Sequence, residues 1–200
     1  MLGTDDAAFP FWSPDNRHIG FFAQGKLKKI ASNGDPAQSL CDAPDGRGAS
    51  WGRDNVIVFS HIAGGAIRRV SAGGGVPVDL AGRGGLPRFP IFLPDGRHFF
   101  YLMAGASVGQ NGTYLRALDD KDNHRVLADV SSVVFTSGRL LFIRENTLMA
   151  QPFDAARAQT VGEAFPVEGF VSGTEAINQI QNSFWGAKPS EKLSRLMAPA

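Results

Sequence analysis

The chain has 200 residues, 43% of them hydrophobic and 20% charged, with a formal net charge of +1. That length supports one domain with a sizeable core, and that composition describes an ordinary globular chain rather than a disordered or membrane-embedded one. The balanced charge, without a basic block, nominates neither nucleic acid nor anionic lipid as a partner.

The 24 glycines, 12 prolines and 15 phenylalanines suit many short strands joined by tight turns. Cys41 is the only cysteine, which excludes an intrachain disulfide and a thiolate metal cluster. Its expected role is that of a small buried hydrophobe. No run of 18 apolar residues is present, and "MLGTDDAAFPF" lacks the charged and apolar regions of a signal peptide. Because the first repeat starts almost at once, residues 1–8 are expected to be a short extension and the start to be internal to a longer protein.

The first unit carries "FWSPDNRHIGFF" at 11–22. Strands are expected at 9–13, 18–23, 26–32 and 36–41, with turns at Pro14-Asp15-Asn16 and Asn33-Gly34. Pro14 pre-sets φ, Asp15 can accept from nearby backbone N–H groups, and Asn16 tolerates the left-handed region. A second unit carries "ASWGRDNVIVFS" at 49–60, with Asp54-Asn55 as its turn. The third repeats the first closely: "FLPDGRHFFYL" at 92–102, with Pro94, Asp95 and Gly96 in the turn. A fourth reads "VVFTSGRLLFIR" at 133–144.

The aromatic anchors Trp12, Trp51, Phe92 and Phe135 are spaced 39, 41 and 43 residues apart. A step of this size, with four short strands in each unit, predicts an all-β fold of β-propeller blades. Blades are expected at about 9–47, 48–87, 88–130 and 131–170, with a degenerate blade or irregular tail at 171–200. The anchors are expected to pack between blades. Leu27, Ile67 and Leu115 are aligned as equivalent third-strand residues. The third step is longer because 104–112, "AGASVGQNG", is inserted before the third strand of its unit.

Pro10, Trp12 to Arg17, Ile19 and Phe21, followed by Gly34, Pro36 and Leu40, resemble the WD40-like (PD40-type) repeat of TolB-like β-propellers. That resemblance implies rings of six or more four-stranded blades, so four blades make an incomplete ring. The stretch 146–167 resembles propeller regions that follow the kinase domain of large bacterial serine/threonine kinases. The resemblance therefore implies a sensor or scaffold module for protein or ligand binding within a signalling protein. Two other family contexts are the gating propeller of a prolyl-oligopeptidase-type peptidase and a stand-alone periplasmic TolB-like protein. An extracytoplasmic place goes with the TolB-like or receptor-kinase reading, and a cytoplasmic one otherwise.

No G-x-S-x-G nucleophile motif and no kinase loop occurs. His18 and His98 share one repeat position after an arginine and are expected to be structural. "DDKDN" at 119–123 lacks the glycine and distal glutamate of a calcium loop and reads as a solvated turn. The sequence nominates no catalytic residue, metal or cofactor, and the expectation is that the chain is not an enzyme. The candidate partner-binding loop is the insertion, with Ser107, Gln110 and Asn111 as its polar members. The partner is expected to be a protein or small ligand, with no membrane insertion. Open blade ends would favour self-association.

Overall fold

The structure, a computed structural model, describes residues 4–61, 65–81 and 84–167. The tail at 171–200 lies outside the described residues. Four antiparallel meanders follow one another along the chain. The first contains β1 (Ala8–Trp12), β2 (His18–Ala23), β3 (Lys26–Ala31) and β4 (Gln38–Asp42). The second contains β5 (Gly46–Trp51), β6 (Val56–His61), β7 (Ile67–Ser71) and β8 (Val78–Ala81). The third contains β9 (Leu86–Phe92), β10 (His98–Ala104), β11 (Gly112–Ala117) and β12 (His124–Leu127). The fourth has β13 (Val134–Thr136), β14 (Arg139–Arg144) and β15 (Thr147–Asp154). There β16 (Gln159–Thr160) and β17 (Phe165–Pro166) both pair with β15. No helix occurs among the described residues.

The turn chemistry explains why these hairpins close where they do. Asp95 Oδ1 accepts the amides of Arg97 and His98, each at 2.9 Å, and the His98 ring Nδ1 lies 2.6 Å from Oδ2. In the first sheet, Asp15 accepts the Arg17 amide at 3.1 Å and the Ser13 hydroxyl at 2.6 Å. The Ser13 bond, then the Arg17 amide, hold the Asp15 carboxyl below its ordinary range. The second sheet closes one residue sooner: Gly52 N donates to Val56 O, whereas Ser13 N donates to His18 O.

The second strands read as apolar runs because both of their faces are covered. Phe22 joins Trp51, Ile57 and Phe59 between the first and second sheets, while Phe21 and Ala23 point to the far face. Phe99, Tyr101 and Met103 meet Val58 and Ile67 between the second and third sheets. Phe100 and Leu115 meet Phe142 and Phe153 between the third and fourth. Each fully buried side chain of this size contributes about 1.5–3 kcal/mol. Sheets stacked face to face, with first strands β1, β5 and β9 side by side, make this a β-propeller architecture.

Cross-strand register shows which residues are equivalent. The ladders run Trp12–Ile19–Ile30, Trp51–Ile57–Val70, Phe92–Phe99–Arg116 and Phe135–Leu140–Gln151. On this count Leu27 and Ile67 correspond to Thr113, not to Leu115. The alignment by sequence slipped by two residues at the insertion, and an even slip keeps every side chain on its own face of the sheet.

Candidate functional site

Among the described residues each first strand is an edge of its sheet, and those of the first three sheets carry a bulge. The register shifts fall between Ala8 and Phe11 in β1, Gly46 and Ala49 in β5, and Arg88 and Ile91 in β9. Each bulge holds one residue in the left-handed region: Phe9 (φ 49°), Gly48 (φ 102°) and Phe89 (φ 52°). Bulky residues rarely adopt that conformation, least of all before proline, yet Pro10 and Pro90 follow both phenylalanines. Bulges and prolines also blunt an edge against stray strand pairing.

Beside these edges lies a cleft of about 720 Å³, framed by β1, β5, β9 and the segment 132–135. Aromatic side chains dominate it, and Arg53 is the one charged residue lining it among the described residues. Trp12 stands 37% exposed there, whereas Trp51 is 8% exposed and packed against Phe11 and His18. The Trp51 Nε1–H is buried without an acceptor. Phe92 meets Phe99 edge-on at 6.0 Å, and Phe135 meets Phe153 at 5.9 Å.

The other residues singled out by sequence lie in turns. Pro14 and Asp15 sit between β1 and β2, Asp54 between β5 and β6, and Pro94, Asp95 and Gly96 between β9 and β10. Ser107, Gln110 and Asn111 lie between β10 and β11 and do not line the aromatic cleft. Asn111 Oδ1 accepts the Ala106 amide at 2.9 Å, Ser107 O accepts the Gln110 amide, and Gln110 O accepts the Tyr114 hydroxyl at 2.8 Å.

Sequence reasoning missed the aromatic cleft, although the repeated Phe-Pro at 9–10 and 89–90 was a usable signal. In the acidic turn, Asp119 pairs with Arg97 at 2.9 Å and Asp120 accepts the Asp122 amide. Among the described residues no group of three His, Cys, Asp or Glu side chains could hold a metal ion. His61 is buried, and that burial, with Arg68 nearby, holds its pKa below the ordinary histidine value.

No protein-family model matches the sequence, and no curated protein does. Solved structures do match the fold. A gluconolactonase from Xanthomonas campestris superposes with a TM-score of 0.63 at 16% identity, over 80% of this chain and 61% of that one. TolB from Acinetobacter baumannii gives 0.62 at 15% identity, over 82% and 44%. Virginiamycin B lyase from Staphylococcus aureus gives 0.57 at 12% identity, over 82% and 56%. The chain thus spans less than two thirds of the length of each, and the likeness is one of fold.

These structures correct the expectation that the chain is not an enzyme. Two of the three are named for a catalytic activity, and both are propellers. The absence of a hydrolase or kinase motif therefore decides nothing on this fold. Sites on repeat scaffolds draw single residues from several units, and such an arrangement leaves no contiguous motif to read.

Proposed function

We propose that this chain is the binding propeller of a larger bacterial signalling protein, and that its aromatic cleft receives an apolar, aromatic-bearing segment of a partner. The carrying observation is Trp12, a large side chain 37% exposed at a cleft of about 720 Å³ with one charged lining residue. Exposed aromatics around a concave apolar surface are what anchor residues of a partner bury most favourably. Prolines 10, 14, 90 and 94 stiffen the cleft edges, so little conformational freedom is lost on binding. The kinase context rests on the resemblance of 146–167 to kinase-associated propellers.

The binding reading is tested by selecting random peptides displayed on phage against the 200-residue chain. Peptides rich in aromatic and apolar residues should emerge, and Trp12→Ala should weaken them about tenfold or more. Selected peptides that bind the variant as well as the wild type would refute the cleft. The context is tested by translating the DNA on both sides of the reading frame. A kinase domain upstream supports the signalling reading, and a downstream domain with G-x-S-x-G replaces it with a peptidase.

A further inference from the structure

A second cavity, of about 530 Å³, lies between the second and third sheets, away from the aromatic cleft. Leu80, Met103, Ala106, Gln110, Tyr114 and Arg116 line it, so one wall is the insertion found only in the third unit. Arg116 occupies the ladder position that Ile30 and Val70 hold in the first two sheets, where both are 4% exposed. A charge has thus been placed where the repeat otherwise sets an aliphatic side chain.

Arg116 is 7% exposed, and among the described residues no carboxylate forms an ion pair with it; the Asp120 carboxyl feels its charge but is exposed and accepts the Asp122 amide. One terminal nitrogen donates to neutral acceptors only, Lys121 O at 3.1 Å and Asn123 Oδ1 at 3.3 Å, and Nε has no acceptor. Gln151, the equivalent in the fourth sheet, is by contrast satisfied by three carbonyls. Among the described residues Asp79 is the one carboxylate in the lining, and Arg68 engages it at 2.7 Å. A buried guanidinium without a counter-ion is unfavourable unless something supplies one.

The cavity has room for a small molecule. Its lining is mixed, with Leu80, Met103 and Tyr114 apolar or aromatic and Arg116 and Lys121 cationic. Tyr114 stacks on Tyr101 at 5.6 Å and 21°, and the Tyr101 hydroxyl donates to Asn123 Oδ1. The guanidinium fork matches a carboxylate in geometry and charge. We propose that this cavity binds a small organic carboxylate, with Arg116 as its counter-ion and the 104–112 insertion as one wall. This site is separate from the aromatic cleft and does not depend on that reading.

The test uses matched pairs, benzoate with benzamide, phenylacetate with phenylacetamide and 4-methylpentanoate with its amide, titrated into the 200-residue chain by calorimetry and thermal shift. At least one carboxylate should bind about tenfold or more tightly than its amide. In the wild type, the Arg116 Nε–H resonance should shift with that acid and not with the amide. Asn123→Asp, which sets an internal carboxylate beside the guanidinium, should weaken binding about tenfold or more. If no acid outperforms its amide on the wild type, or if the variant binds as tightly, the proposal is wrong.

Discussion

Phe9 and Phe89, equivalent residues two sheets apart, meet ring to ring at 6.1 Å. The strand between theirs has Gly48 at the same bulge, where a Cβ would stand 3.0 Å from Phe89 Cα. The two strained phenylalanines thus come together because the middle repeat omits its side chain.

Gly48→Ala is therefore expected to cost about 2–3 kcal/mol, combining a left-handed backbone with a contact against main chain. Gly34→Ala is the control, since Gly34 has φ 96° but nothing within 4 Å of an added Cβ. It should lose only about 1 kcal/mol. Urea midpoints of the two variants decide the matter, and equal losses would show that the row of rings is indifferent to Gly48.

In the first sheet Phe11 pairs across strands with Gly20, and a Cβ on Gly20 would fall 2.1 Å from the Phe11 ring. In the third sheet the equivalent pair is Ile91 and Phe100, with the ring on the opposite strand. Gly20→Phe alone should overpack and destabilise by about 3 kcal/mol or more. Combining it with Phe11→Ile rebuilds the third-sheet pair. The double variant should recover at least about 1 kcal/mol in a double-mutant cycle, and strict additivity would contradict this account.

Burial pushes the Asp95 carboxyl up, but the bonds from the His98 ring, the His98 amide and the Arg97 amide outweigh it and leave it below 3.8. A folded pKa lower than the unfolded one stabilises fully above the unfolded value and is lost as pH falls through the folded value. Asp95→Asn should therefore be less stable than wild type at pH 7, and the gap should narrow as pH falls below 3.8. Denaturation midpoints from about pH 2 to 7 test this, and a gap constant across that range would contradict it.

Burial, and then Asp42, push the Cys41 thiol up to about 11. Since the thiolate is the reacting form, alkylation of the native chain at pH 7.5 should run about 100-fold slower than in denaturant. A maleimide time course measures both rates. Equal rates would mean that Cys41 is ordinary in the folded chain.

Most of the sheet plan was legible because its causes are local. Trp12, Trp51, Phe92 and Phe135 mark the step, and Pro14-Asp15 and Pro94-Asp95 close hairpins with bonds that short motifs can announce. The bulges were less so: Phe9-Pro10 recurs as Phe89-Pro90, but a dipeptide does not declare a positive φ. The stretch 146–167 hid its last two strands because β16 and β17 have two residues each, too few for an alternating pattern. Arg116 went unnoticed because the two-residue slip aligned its neighbourhood with the basic third strands "LKKIAS" and "IRRVSA". Only the register with Phe99 shows that it stands where Ile30 and Val70 do. The inference against catalysis failed differently, since it looked for contiguous motifs on a scaffold that can assemble a site from distant repeats.

Among the described residues each sheet is woven from one consecutive run of strands and borrows none from its neighbours. Polar clasps between sheets include Phe92 N to Ser50 Oγ, Lys29 Nζ to Ala72 O and Gly75 N to Leu40 O. Under tension applied to its two ends, such a molecule gives way like a string of separate knots. Each knot that slips, about 40 residues long, pays out roughly 130–140 Å of chain while its neighbours hold.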